Sequence, residues 1–392
     1  MSTAKVINIV HPSGTINNLV NDANGGIVIG GTLTANANVT VSGTVVMSSS
    51  FKRNRIINGN MAINQRNAGA SITGNSGAYP VDRWETYATQ SSKLTCQQST
   101  TVPSGFKNSV LYTSSSAYSV TASDYFSVSQ RIEGYNVSDL NFGTASAATV
   151  TLSFWVRCSL TGTFGGACHN NAFNRAYPFT YTISAANTWE QKTVTIAGDT
   201  TGTWTTDNSV GLEVGFSLGC GSTGLGTPGA WTATSNIYGA TGQVNLVGTS
   251  GATFYITGVQ LEVGTVATPY EMQIYSDQLA QCQRYYYRIN AGSNYTKFGV
   301  GLCGTTSSTI ISVPLPVTMR TYPTTLDFSA VSSFVIYDGT TNTTVTGIAL
   351  SDGSTNSLGV STTNPATLTQ SRPAMLESNG SAAAYIGAIA EL

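Results

Sequence analysis

Charge is what this sequence has least of. Of 392 residues, 17 are Lys or Arg and 18 are Asp or Glu, so charged side chains make up 9%, against roughly 25% in an ordinary soluble domain. The formal net charge is -1. A face basic enough to displace counterions from nucleic acid is not expected, nor is electrostatic binding to a membrane. No apolar run approaches the roughly 20 residues a membrane-spanning helix needs, so membrane insertion is not expected either. The opening MSTAKVINIVHPSG has no apolar stretch like a signal peptide's, and synthesis in a cytosol without export by that route is the expectation.

Reactive side chains are equally sparse. There are two histidines, His11 and His169. No G-x-S-x-G elbow accompanies His169, and Cys168 beside it would point to the opposite face of a strand. Nucleophilic triad chemistry is therefore not expected. The six cysteines, Cys96, Cys158, Cys168, Cys220, Cys282 and Cys303, form no C-x-x-C, which excludes a zinc ribbon or thioredoxin motif. Buried free thiols are expected, with a Cys158–Cys168 bridge across one hairpin as the alternative. No EF-hand-like run of Asp occurs.

What fills the chain is Gly (41 residues), Ser, Thr and Asn, with 19 Tyr, 13 Phe and 41% hydrophobic residues. This mixture favours pleated structure over helix. Residues 1–50 carry only Lys5 and Asp22 as charges. GGIVIGGTLTANANVTVSGTVVMS alternates with period two through Ile27, Ile29, Val39, Val41 and Val45, which predicts short strands with one buried face. So little apolar mass cannot form a core alone. A parallel homotrimeric β-shaft resolves this, and a disordered arm is the alternative.

Next comes FKRNRIINGNMAINQRNAG, with Lys52, Arg53, Arg55 and Arg66. Asn58-Gly59 predicts a tight turn between strands Arg55–Ile57 and Met61–Ile63. Residues 51–77 are thus read as a collar, its basic groups pairing or capping where rod meets head. Residues 78–271 hold many short strands: VDRWETYAT, SVLYTSS, YFSVSQRIEG, TVTLSFWVRCSL, FTYTISA, WEQKTVTIAG, VGLEVGFSLG, GQVNLVG and TFYITGVQLEVG. About eight to ten such strands predict a jelly-roll β-sandwich. YSDQLAQCQRYYYR, within 272–288, predicts one linker helix with Ser276 as N-cap and Asp277 in the first turn, able to pack on a neighbouring copy. Residues 289–392 predict a smaller β-domain, with Pro314 and Pro316 at a strand edge or end. The expected class is all-β.

Several of these stretches resemble one family. NRIINGNMAINQRNAGASIT…YPVDRW, TVTLSFWVRCSLTG, TWEQKTVTIAGDTTGTW, FYITGVQLEVGTVATPYE, YSDQLAQCQRYYYR and VPLPVTMRTYPT, spread over residues 54–325, resemble tail fibre and receptor-binding proteins of tailed bacteriophages and prophages. The central region is similar to jelly-roll carbohydrate-binding modules. The resemblance implies a virion component made in the host bacterium's cytoplasm. It implies a homotrimer, joined to a phage tail or baseplate protein through its N-terminus, that contacts host surface polysaccharide. A purely structural fibre, a bacterial adhesin and a polysaccharide-degrading fibre are the alternatives.

Sugar binding needs aromatic platforms beside amide or hydroxyl donors. Trp84, Trp155 and Trp189 fall within strand patterns and are expected in the core. Tyr177, Trp204, Trp231 and Tyr238 fall in Gly/Thr/Asn-rich loops and are the candidate glycan contacts. Asn174 and Arg175 are candidate donors, with Asn170 and Asn171 nearby. Cleavage would need two carboxylates roughly 5–10 Å apart; Glu133, Asp139, Glu190, Asp199, Asp207 and Glu213 are the candidates, but an enzyme is not the expectation. No cofactor is expected beyond a structural calcium of the kind jelly-roll modules hold, for which Asp82 and Glu262 are the candidate ligands.

Overall fold

The computed structural model describes residues 52–392 and, before them, the backbone of Leu19–Asn21 and Ile27–Ile29. The chain divides into two compact units, 1–50 and 51–392. In the first, the two short strands pair antiparallel, Leu19 opposite Ile29, where the alternation at Ile27 and Ile29 predicts a strand. Val39, Val41, Val45 and the rest of the expected shaft lie outside the described residues.

The second unit begins with a sandwich of two six-stranded antiparallel sheets. The first sheet runs Ala176–Ile183, Gly162–His169, Val210–Cys220, Tyr125–Glu133, Trp84–Ala88, Ala78–Val81 from edge to edge. The second runs Glu190–Ile196, Val150–Cys158, Thr253–Val263, Ser109–Ser114, Leu94–Ser99, Ile72–Thr73. Alternate residues of each strand face the partner sheet. They build one aromatic core in which the Phe216 ring meets Phe154 at 4.8 Å, Phe179 at 5.9 Å and Trp84 at 6.3 Å. Each such buried ring contributes about 1.5–3 kcal/mol of apolar burial. All six cysteines are buried and free, so Cys158 and Cys168 are not bridged.

Three expectations fail here for identifiable reasons. The strand Gly162–His169 (GTFGGACH) lacks the β-branched signature that marks strands by sequence. A Cβ on Gly166 would lie 2.2 Å from the Gly215 carbonyl and 2.5 Å from the Phe179 ring, so close packing selects glycine there over β-propensity. Conversely GQVNLVG is no strand: it ends in a 3-10 turn at Leu246–Gly248. Of the three strand tryptophans only Trp84 is in the core. Trp155 is half-buried, as is Trp189, whose ring lies edge-on to Tyr255 at 6.1 Å.

The collar contains the Asn58-Gly59 turn but not the flanking strands. Its hydrogen bonds go to side chains and to the sandwich instead. Asn58 donates from Nδ2 to the carbonyls of Ile63 and Asp82 and accepts from Ile63 N–H, while Trp84 Nε1 donates to the Asn58 carbonyl. Asn58 takes φ +56°, which Asn tolerates better than most residues. Gly59 lies so close to the strand Thr253–Val263 that a Cβ would sit 2.1 Å from the Val259 carbonyl. The basic groups pair with acids: Arg53 with Glu262 at 3.6 Å, Arg55 with Asp139 at 2.5 Å, Arg66 with Asp82 at 3.5 Å.

The helix spans Tyr275–Gln283, two residues earlier than expected; Ile274, not Ser276, is the N-cap, and no side chain caps it. It buries Gln278 and Cys282. Beyond it lie a three-stranded sheet, Tyr286–Asn290, Tyr385–Ile389, Thr325–Phe328, and a seven-stranded sheet. Their shared core includes Phe298, Phe334, Ile336, Leu376 and Ile386. Pro314 ends a strand.

An ionic cluster ties this β-domain to collar and sandwich. Glu391 is paired with Arg83 and, at 2.9 Å, with Arg66. Arg83 stacks on Tyr285 at 3.6 Å, and Arg66 on Tyr286 at 3.6 Å and Tyr79 at 4.4 Å. Arg284 and the Tyr285 hydroxyl both donate to Glu133, at 2.6 Å and 2.7 Å. Burial pushes the Glu391 carboxyl up, but Arg83 and then Arg66 outweigh it and hold it below the usual carboxylate range. A depressed carboxylate stabilises the fold above its unfolded pKa and ceases to do so as pH falls through its folded value. Glu391→Gln should therefore lower the unfolding midpoint at neutral pH, by the loss of about 3–5 kcal/mol expected when one partner of a buried pair is removed. The deficit should shrink as the pH drops below about 4, where Glu391 takes up its proton in the unfolded chain before it does in the folded one. Urea unfolding at pH 7 and pH 3 measures this; equal deficits at both would contradict it.

Candidate functional site

Loops around 120–125, 137–147, 170–175, 197–206 and 222–238, which leave both ends of the strands of the first sheet, frame three open clefts. The largest, about 440 Å³, is lined by Asp124, Tyr125, Thr223, Asn236, Tyr238 and their neighbours. Tyr125 and Tyr238 stack face to face at 4.0 Å and 14°. Behind Tyr238 stand Phe173 and His169, whose Nε2 contacts the Ile237 carbonyl. Burial holds the His169 imidazole below its ordinary pKa, so it is neutral at pH 7. A second cleft of about 280 Å³ is walled by Trp231 with Leu225, Thr227, Thr232, Thr234 and Ile237. A third, about 140 Å³, is walled by Trp204 and Phe142 with Ser138, Asn141, Thr144 and Thr206.

The two tryptophans belong to one cluster. Trp204 and Trp231 meet edge to face at 5.2 Å, and Phe142 touches them at 4.9 Å and 5.8 Å. Their indole N–H groups donate to loop carbonyls, Trp204 to Thr201 and Trp231 to Ala197, which fixes ring orientation. Arg175 fastens the same loop through a two-pronged pair with Asp199 at 2.7 Å and 2.6 Å. Burial pushes the Asp199 carboxyl up, but the Arg175 and Thr201 hydrogen bonds outweigh it and leave it below the ordinary value.

The six nominated contacts thus divide. Trp204, Trp231 and Tyr238 line open clefts. Tyr177 does not sit in a loop: it belongs to the strand Ala176–Ile183, is 6% exposed, and supports Trp231 edge-on at 5.4 Å. Arg175 is committed to Asp199, and Asn174 accepts from Asn170 Nδ2 at 2.8 Å. Tyr125 and Phe142 are additional cleft residues. Tyr125 opens a strand pattern and reads as core by sequence; only its register position, first in Tyr125–Glu133, puts it at the rim.

The candidate acids are likewise engaged. Glu133 is held by Arg284 and Tyr285, and Glu213 by Arg131 at 3.1 Å. Glu190 pairs with Lys192 at 2.6 Å, Asp139 with Arg55, and Asp207 accepts from Ser209. Asp82 accepts from Gln65 and Arg66, and Glu262 from Thr268, Gln260 and Arg53. Among the described residues no cluster of three or more His, Cys, Asp or Glu side chains could hold a metal ion.

No family model and no curated protein matches the sequence. Among solved structures the chain is similar to the enzymatically active domain of tailspike protein 4 of bacteriophage CBA120, at 14% identity and TM-score 0.30 over 54% of this chain and 22% of that one. It is similar to the family 11 carbohydrate-binding module of Clostridium thermocellum in complex with a beta-1,3-1,4-mixed-linked tetrasaccharide, at 10% identity and TM-score 0.27 over 51% and 99% of the two chains. It is also similar to the N-terminal cellulose-binding domain of Cellulomonas fimi beta-1,4-glucanase C, at 12% identity and TM-score 0.23 over 52% and 99%. The chain therefore spans under a quarter of the length of the tailspike chain.

Because Asp199 fastens the loop that carries Trp204, Asp199→Asn should release that tryptophan into water. Emission should shift to the red with the far-ultraviolet dichroism unchanged, and the variant should lose the acid sensitivity that wild-type emission shows as Asp199 protonates. An unshifted spectrum would mean that the indole contacts hold the loop without the ion pair.

Proposed function

We propose that this chain is a phage tail fibre that holds a host surface glycan without cleaving it. In this reading it acts as a homotrimer, joined to the tail or baseplate through its N-terminal region and made in the cytoplasm of the infected bacterium. The observation that carries the glycan reading is the set of adjoining clefts walled by Tyr125, Tyr238, Trp231 and Trp204. Aromatic faces take up the C–H faces of sugars, and Thr, Ser and Asn side chains at the rims match hydroxyls. The fibre reading draws on the sequence resemblance over residues 54–325. The non-cleaving reading draws on the acids: each nominated carboxylate is already engaged within the chain, and none stands free opposite another.

Charge narrows the ligand to a neutral glycan. Among the described residues lining the three clefts, Asp124 alone is charged. Its carboxylate is taken up by Tyr118, Thr121, Thr89 and Gln90. An acidic sugar would meet that negative charge with no cleft cation to offset it.

Tyr238→Ala and Trp231→Ala should each weaken binding to host cells about tenfold, as loss of a central aromatic contact does. Prior periodate oxidation of the cells should abolish binding, and raising NaCl from low to high should change it little, because no ion pairs are at stake. Periodate-resistant binding would overturn the glycan reading. Periodate-sensitive binding that collapses with salt would keep the glycan but overturn its neutrality.

A further inference from the structure

The sequence contains three Asn-Gly dipeptides, at Asn24, Asn58 and Asn379. This pair is chemically labile. The nitrogen of the following residue can attack the asparagine side-chain amide, and glycine, without a Cβ, hinders that attack least. Asn24 lies outside the described residues. The other two sit in opposite surroundings.

Asn58 is caged. It is fully buried, its Oδ1 accepts from Ile63 N–H, and its Nδ2 donates to the carbonyls of Ile63 and Asp82. Gly59 has no space beside it, since a Cβ there would lie 2.1 Å from the Val259 carbonyl. A ring closing between Asn58 and Gly59 would break the Nδ2 bonds and press on the strand Thr253–Val263.

Asn379 and Gly380 are both exposed, in the connection between the strands Pro373–Ser378 and Tyr385–Ile389. Among the described residues the Asn379 side chain makes one hydrogen bond, from Nδ2 to the Ser332 carbonyl at 3.1 Å. The Gly380 N–H is tied only within its own loop, to the Ser378 carbonyl at 3.1 Å. A Cβ on Gly380 would find its nearest neighbour, the Tyr295 hydroxyl, at 3.9 Å, so there is room for a ring. Gly380 takes φ +61°, a conformation that favours glycine. The turn thus requires the very residue that makes the preceding asparagine reactive.

We propose that Asn379 is a site of spontaneous covalent modification, converting to aspartate and isoaspartate while the chain stays folded. The Gly380 nitrogen gives its proton to solvent base and attacks Asn379 Cγ. The N–Cγ bond forms, the Cγ–Nδ2 bond breaks, and Nδ2 leaves as ammonia with a proton taken from water. A second water then opens the cyclic imide. Opening at Cγ gives aspartate; opening at the main-chain carbonyl leaves the chain running through the side chain, as isoaspartate. Either product adds one negative charge to a chain whose formal net charge is -1, and removes the donor that Ser332 receives. Isoaspartate also inserts a methylene into the main chain beside the Asn379 N–H bond to the Ser333 carbonyl, 2.7 Å long. That loosens the end of the ladder where Phe334 lies opposite Ser378.

The test uses the full chain, held folded at mildly alkaline pH for days, with a parallel sample in urea. Both are then cleaved for peptide mass spectrometry, where exchange of NH2 for OH marks the product. In the folded chain the Asn379 peptide should convert roughly tenfold faster than the Asn58 peptide, or more, because Asn58 must wait for the fold to open. In urea the two should convert at similar rates. Asn379→Gln, whose ring would be six-membered and slow to close, should abolish conversion of its peptide. Equal rates at 379 and 58 in the folded chain, or an Asn379 peptide that converts only in urea, would overturn the proposal.

Discussion

The Glu391 carboxylate, held between Arg83 and Arg66, is the constraint on which the arrangement of the second unit depends. It joins three stretches far apart in sequence: the collar, the first strands of the sandwich and the end of the last β-domain. Burying one carboxylate with two guanidinium groups is costly unless the charges are paired; here Arg66 also pairs with Asp82, and Arg83 and Arg66 stack on Tyr285 and Tyr286. The same residues explain the tyrosine run after the helix. Arg131 and Arg320 extend the cluster by donating to the main-chain oxygens of Leu392 and Glu391.

This use of charge has a consequence for recognition. Of the eleven arginines, eight lie in ion pairs. The other three are also occupied: Arg157 donates to Asn187 and stacks on Tyr255, Arg288 donates to Arg66 and stacks on Tyr385, and Arg320 binds main-chain oxygens. A chain this poor in charge spends its arginines on holding itself together. What it presents at the three clefts is aromatic rings, hydroxyls and amides. That is a surface suited to neutral polar ligands, whose recognition rests on stacking and hydrogen bonds and is insensitive to salt.

Much of the architecture was legible in the sequence because period-two alternation survives wherever a strand has one core face. Tyr125–Glu133 and Val150–Cys158 read that way. Gly162–His169 did not, because glycines needed for close approach erased the pattern; Ala78–Val81 has only four residues, and in Leu94–Ser99 (LTCQQS) the apolar alternation stops after Leu94 and Cys96. The Asn58-Gly59 turn was visible, but its flanking strands were not formed: the Asn54 and Asn58 side chains take the N–H groups of Ile56 and Ile63, and Gln130, from a distant strand, takes that of Ile57. At the site, loop composition singled out Trp204, Trp231 and Tyr238, all of which line clefts. It misjudged Tyr177, because the strand resumes at Ala176, and it could not find Tyr125, whose exposure depends on where the neighbouring strand ends.

The most direct test of the account is a crystal structure of the chain with a neutral oligosaccharide selected by binding. The account places the sugar rings against Tyr125, Tyr238 and Trp231. A sugar seated instead on the outer face of the second sheet, against Trp155 and Trp189, or on the C-terminal domain would contradict it.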